Sequence, residues 1–161
     1  MIRGDDALRI LAKSDIGKAR EMNQDSYYIS DLEKDEIKLY ILADGMGGYK
    51  GGEIASSLAV ANTKNYIINN FKKTKKDRES ILNLLKNAIE YANMSVYEKA
   101  KVSEELHDMG TTLDVCLIYN NKVFIGHVGD SRVYRIRKNI IRKLTTDHSY
   151  VEKLVKEGTI T

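Results

Sequence analysis

Proline is absent from all 161 residues, and the composition offers no physical reason for it. Cysteine is nearly absent. Cys116 stands alone within the apolar stretch 113–119, which excludes an internal disulfide framework and suits a reducing compartment. In such a run the thiol is expected to be buried and inert. No apolar run approaches the length needed to cross a bilayer, and Met1 is not followed by a secretory apolar core, so a cytoplasmic location is expected. Neither sign of charge is in large excess. The 26 basic and 23 acidic residues leave a net +3, too little to argue for a nucleic-acid partner. Nucleotide loops are missing as well. Counting from Gly45, Lys50 stands where a dinucleotide fingerprint needs its third glycine, and no Gly-Lys-Ser/Thr follows to make a P-loop.

What remains is an ordinary globular composition, 42% hydrophobic and 30% charged. A single domain of this length buries about 70% of its unfolded surface. The chain is organised around residues 39–53. Leu39-Tyr40-Ile41-Leu42-Ala43 reads as a buried strand that ends on Asp44-Gly45. Gly47, Gly48, Gly51 and Gly52 follow, and a helix is expected from Glu53. A carboxylate at a strand end, beside backbone free to bend, can hold a hard cation, with Gly45 turning its own carbonyl toward the same ion. The same residues also suit a plain strand-to-helix turn.

Taken in order, residues 7–13 alternate as a strand, 14–17 turn, 18–23 form a loop, and 25–30 have strand propensity. Residues 31–36 read as a hairpin connection. These turns place Asp15, Arg20, Asp25 and Asp44 near strand ends, a cluster that can neutralise itself or bind metal and phosphate. Residues 53–71 read as a helix on Ile54, Leu58, Ala61 and Asn65. The basic run 72–78 lacks interleaved aromatics and is read as a solvated inter-helix loop rather than a nucleic-acid patch. Residues 78–101 carry the clearest helical stripe, Ile81, Leu85, Ala88, Ile89, Ala92 and Val96. Strands return at 111–119, 122–128, 133–137 and 140–144, with turns at Asn120-Asn121 and Lys138-Asn139. Asp147-His148-Ser149 is read as the N-cap of a short helix over 150–157, stopped by Gly158. Strands, helices, then hairpins predict an α+β chain with antiparallel sheets.

Five stretches, in order, resemble the metal-dependent protein serine/threonine phosphatases of the PP2C or PPM type, in a bacterial form. They are Ser14-Asp15-Ile16-Gly17 with Arg20-Glu21-Met22-Asn23-Gln24-Asp25; Ala43-Asp44-Gly45-Met46-Gly47-Gly48; Met109-Gly110-Thr111-Thr112; Gly126-His127-Val128-Gly129-Asp130-Ser131-Arg132; and Leu144-Thr145-Thr146-Asp147-His148-Ser149. Gly158-Thr159-Ile160-Thr161 continues the pattern. Each motif is weak alone; their joint order carries the resemblance, which spans essentially the whole chain.

The resemblance implies a four-layer α/β/β/α sandwich of two antiparallel sheets flanked by helices, incomplete at the C-terminal end. Residues 1–161 would then be the N-terminal portion of one phosphatase domain. It implies hydrolysis of phosphoserine and phosphothreonine in proteins with two Mn²⁺ or Mg²⁺ ions, and a third, weaker metal site. A metal-bound hydroxide attacks, so no protein nucleophile is required. Asp44 matches the bridging carboxylate, Gly45 the carbonyl ligand, and Asp25 the acid that orients metal-bound water. Arg20 matches the phosphate-binding guanidinium. Asp130 and Asp15 match ligands of the third metal. The implied partners are phosphorylated proteins, a serine/threonine kinase and its substrates among them, with neither nucleic acid nor membrane.

Blander readings stand beside these. Asp130-Ser131-Arg132 suits a tight turn with a local ion pair, and Arg20 a surface residue. His127 reads as a packed core histidine rather than a ligand, and His107 has no constellation around it. Three departures from the family pattern matter. Gln24 places an amide where many members have glutamate. Met46 stands where animal enzymes carry a histidine assigned as general acid. Two further metal-binding aspartates fall in the family's pattern beyond residue 161. The alternative function is therefore a catalytically silent phosphoprotein-binding or regulatory module of the same fold; a nucleic-acid binder built on 72–78 is the remotest reading.

Overall fold

The computed structural model describes residues 8–30, 37–102 and 104–149. The expected hairpin connection at 31–36 and the helix over 150–157 lie outside these residues, as do Ala7 and residues 158–161.

The core sheet is antiparallel throughout. Its strands are β1 (Asp25–Ile29), β2 (Lys38–Met46), β4 (Leu113–Tyr119) and β5 (Lys122–Val128), in the order β1-β2-β4-β5, with the short β3 (Gly110–Thr111) pairing the end of β2. Two helices, α1 (Gly48–Phe71) and α2 (Arg78–Lys101), cover one face. Alternation along the strands decides that face. Leu39, Ile41 and Ala43 of β2 and Leu113, Val115 and Leu117 of β4 are buried in the core that Ala55, Ile67, Phe71, Ile81 and Leu85 share from the helices. A separate antiparallel ribbon, β6 (Tyr134–Arg137) with β7 (Ile140–Lys143), follows β5. Arg132, Val133 and Tyr134 lie across the other face of the sheet from the helices, around a cavity of about 460 Å³ that Tyr27, Tyr40, Leu42, Asp114 and Cys116 also line. The architecture is the α+β arrangement of antiparallel sheets and helices that the sequence predicts. Among the described residues, no helix is long and apolar enough to cross a membrane.

Several local expectations hold closely. The helix over 78–101 matches residue for residue; Asp77 caps it by accepting the Ser80 amide at 2.8 Å, and its predicted stripe faces the core, with Ile89 partly buried. Both hairpin turns carry left-handed pairs, φ 50° and 58° at Asn120-Asn121 and 50° and 60° at Lys138-Asn139. The basic 72–78 segment does link the helices, and Lys76 there caps α1 by donating to the carbonyls of Phe71 and Thr74.

Other expectations are corrected. Residues 8–13 form no strand; Leu11 is 99% exposed, so the alternation there has no second face to bury. Strand β2 does not stop at Ala43 but runs on to Met46, because β1 and β3 extend its ladder through Asp44 and Met46. Helix α1 starts at Gly48, not Glu53; Gly48 opens it at φ 60°, and Gly51 and Gly52 follow within the helix against the sheet end. Its buried stripe is also shifted, to Ala55, Ala59, Thr63, Ile67 and Phe71, while Ala61 and Asn65 are exposed. Small residues occupy the N-terminal part of that stripe and Ile67 and Phe71 its C-terminal part, while Ile54 and Leu58 are only partly buried.

Candidate metal centre at the end of the β1–β2 pair

Antiparallel register sets Asp25 directly opposite Asp44. Both carboxylates fall on the sheet face away from the helices, since their strand neighbours Ser26 and Ala43 turn toward α1. Asp44 has its pKa raised, first by partial desolvation and then by the negative charges of Asp25 and Asp130; Arg20 works in the opposite direction. Asp25, Asp130 and Arg20, all singled out by sequence, thus act on Asp44. Asp15 is not among them. Its carboxylate accepts the Gly17 amide at 2.9 Å, closing its own turn.

The Asp44 backbone is held by three hydrogen bonds to Thr111 and Thr112. Its amide donates to Thr112 Oγ1 at 3.0 Å, and its carbonyl accepts from the Thr112 amide at 2.9 Å and from Thr111 Oγ1 at 3.0 Å. Thr112 Oγ1 lies 2.8 Å from Ser131 Oγ, so the Asp130 turn is tied to the same point. On the other side, Ser14 Oγ donates to Asp25 Oδ2 at 3.2 Å and accepts from Asn23 Nδ2 at 2.7 Å. Sequence reading missed these hydroxyl and amide supports. Their only signal was membership of the same motifs, which gave no role to Thr111, Thr112, Ser131, Ser14 or Asn23.

Gly45 is explained by packing rather than by backbone freedom. A Cβ there would sit 2.0 Å from the carbonyl oxygen of Gly52 and 2.7 Å from that of Gln24. Helix α1 therefore abuts the strand backbone, and Gly52 has no room either. Gly47 (φ 119°) meets Asp108 and Met109 in the same way, which fixes the residue after Met46 against the loop leading to β3. Gln24 is part of this joint. Its carbonyl accepts from the Gly45 amide at 3.1 Å and Ser56 Oγ at 2.7 Å, and its side chain donates to the Gly48 carbonyl at 2.9 Å. An amide suits a donor to a helix-start carbonyl, as a glutamate would not.

The remaining motif residues hold the frame. His127 is buried, as expected of a core histidine, with Nδ1 2.6 Å from Asp114 Oδ1 and Nε2 3.0 Å from the Thr146 carbonyl. Arg132 does not pair with its neighbour Asp130. It forks onto Asp147, Nη2 to Oδ2 at 2.7 Å, with Lys143 on the other oxygen at 3.2 Å. Arg132 above all, with Lys143, holds the Asp147 carboxyl down at about 2. The helix that Asp147 or Ser149 is expected to cap lies outside the described residues; within them Asp147 makes this tertiary ion pair. Cys116 is free and half-buried, its thiol pKa raised by burial. His107 is exposed, its ring Nδ1 3.2 Å from Asp108 Oδ1.

The donor set suits a hard divalent cation: carboxylate oxygens crowd one edge, and no soft ligand is near them in the site described. Among the described residues, no three histidine, cysteine, aspartate or glutamate side chains converge as a complete metal cage.

The sequence profile described as protein phosphatase 2C matches residues 17–157. The chain is 35% identical over 155 residues to a putative protein phosphatase 2C-type of Streptococcus pyogenes, covering 96% of this chain and 61% of that protein. The fold superposes on the serine/threonine phosphatase of S. agalactiae with a TM-score of 0.78 at 36% identity, over 91% of this chain and 59% of that one. It superposes on the catalytic domain of the serine/threonine protein phosphatase PstP, in complex with two manganese ions, with a TM-score of 0.76 at 34% identity, over 92% and 60% of the two chains. The chain thus spans about 60% of each of these relatives.

Proposed function

The chain belongs to the protein phosphatase 2C family, and we propose that residues 1–161 are the N-terminal portion of a single phosphatase domain. Its reaction is the hydrolysis of phosphoserine and phosphothreonine in proteins by a metal-bound hydroxide at a binuclear centre. The observation that carries this reading is Asp25 set opposite Asp44, with Asp130 and Arg20 in electrostatic reach. Carboxylates crowded at a sheet end repel one another, and a cation between them removes that cost. The two manganese ions of the PstP catalytic domain support Mn²⁺ or Mg²⁺ as the pair.

In this reading Asp44 bridges the two ions, the Gly45 carbonyl binds one, and Asp25 orients the attacking water. Bound there, the ions acidify that water and screen the phosphoryl charge. Arg20 holds the phosphoryl oxygens with its fork. Asp130 serves the third, weaker site, toward which Asp15 would leave its bond to Gly17. Thr111, Thr112 and Ser131 keep Asp44 in register without touching substrate. The substrates are phosphorylated cytoplasmic proteins, a serine/threonine kinase and its targets among them, with no role for nucleic acid or membrane.

One observation favours the alternative, a silent phosphoprotein-binding module: the described residues alone do not form a full metal cage. The two readings part on one assay, Mn²⁺-dependent phosphate release from a phosphothreonine peptide with Asp44→Ala as control. Release that needs both Mn²⁺ and Asp44 establishes the hydrolase. No release, with fewer than two tight Mn²⁺ bound per chain, establishes the silent module for this chain.

A further inference from the structure

Between Asp130 and Asp147 the chain carries no acidic residue, yet it carries Arg132, Arg135, Arg137, Lys138, Arg142 and Lys143. The β6–β7 ribbon sorts them. Register places Arg135 opposite Arg142 and Arg137 opposite Ile140, so these four side chains share one face; Tyr134, Ile136, Ile141 and Lys143 share the other. Lys138 stands in the turn at the tip. Arg132 and Lys143 are engaged with Asp147. Among the described residues, Arg135, Arg137, Lys138 and Arg142 have no carboxylate partner, and all four are exposed.

Like charges directly opposite on a ribbon weaken it. Arg135 and Arg142 are such a pair, with Arg137 and Lys138 adding to the same field rather than relieving it. An anionic partner laid across the face reverses the sign of that interaction. The ribbon also begins four residues after Asp130, which sits in the electrostatic neighbourhood of Asp44, so the basic face is continuous in the chain with the candidate centre.

We propose that the Arg135, Arg137 and Arg142 face of the β6–β7 ribbon, with Lys138 at its tip, docks an acidic stretch of the phosphoprotein whose phosphate the Asp25–Asp44 centre receives. The inference rests on the function proposed above and names the substrate class: phosphoproteins with acidic residues near the phosphorylated one. A nucleic acid fits the face less well. The basic face carries no aromatic to stack on a base, and the net charge of the whole chain is only +3.

The test compares binding of two fluorescent phosphothreonine peptides, one flanked by glutamates and one by glutamines, in EDTA so that neither is hydrolysed. The full chain is set beside Arg135→Gln/Arg137→Gln/Arg142→Gln and beside Lys73→Gln/Lys75→Gln/Lys99→Gln, which removes the same charge elsewhere. Circular dichroism and thermal unfolding check that both variants fold. The full chain should bind the glutamate peptide about tenfold more tightly, with a preference that fades as salt rises. The ribbon variant should lose the preference and the control variant should keep it. Retention by the ribbon variant, or equal loss in both variants, overturns the proposal. So does competition by duplex DNA or anionic phospholipid vesicles at lower concentrations than the glutamate peptide. Because binding is read without turnover, a chain that discriminates the peptides but never hydrolyses them with Mn²⁺ refutes the hydrolase and leaves the docking face standing.

Discussion

Asp25 and Asp44 lie opposite one another across the β1–β2 ladder, two carboxylates brought to one sheet end by strands that meet through a nineteen-residue separation in the chain. Everything proposed for the site follows from that juxtaposition, and it makes an unusual pair of demands on stability. Without a cation the two charges oppose folding; with one they anchor it.

Asp44→Asn should therefore separate binding from folding. Mn²⁺ at a hundred times its dissociation constant adds about 2.7 kcal/mol to the stability of a protein that binds it only when folded. The full chain should show a rise in melting temperature with Mn²⁺ and the variant little or none, while the variant without metal melts no lower than the full chain. Equal stabilisation of both by Mn²⁺ would remove Asp44 from the centre.

Gly45→Ala should fail for a packing reason. The added methyl would lie 2.0 Å from the Gly52 carbonyl oxygen, and both partners are backbone, so neither strand nor helix can yield cheaply. A loss of about 3 kcal/mol or more is expected, at the upper end of overpacking costs. Urea unfolding measures it. A stability within about 0.5 kcal/mol of the full chain, the usual range for exposed surface changes, would show that the α1–β2 joint is loose.

His127→Ala strands a buried carboxylate. Asp114 would keep its burial and lose its partner at 2.6 Å, for an expected cost of about 3 kcal/mol. The Asp114→Ala/His127→Ala double variant should lose much less than the two single losses added together. Strict additivity in this cycle would mean that the two side chains are neighbours without being coupled.

The Asp147 carboxyl, held near 2 mainly by Arg132, sets an acid limit on the ribbon. A depressed carboxylate contributes stability that is fully present above its unfolded value of about 3.9 and is lost as pH falls toward the folded one. The stability gap between the full chain and Asp147→Asn should be constant above about pH 5 and shrink between about pH 4 and pH 2. Denaturant midpoints at stepped pH read it directly. A gap that stays level down to pH 2 would show that Arg132 and Asp147 do not act as an ion pair in solution.

The sequence by itself determined whatever depends on residues close together in the chain. Helix α2 was legible end to end because Asp77 caps it locally and its apolar stripe repeats at the helical period. The turns at Asn120-Asn121 and Lys138-Asn139 were legible because two-residue hairpins need paired left-handed residues, which asparagine tolerates. The motifs also named Arg20, Asp25 and Asp130, which the fold brings within electrostatic reach of Asp44. Only the tertiary structure decided how those pieces meet. Helix α1 begins among glycines, contrary to propensity, because Gly45 and Gly52 let two backbones touch. Asp147 answers Arg132 fifteen residues away, a pairing that no local pattern announced. The physical reason is common to both. Propensity and period act over a few residues, whereas register and close packing join residues that no local pattern can pair.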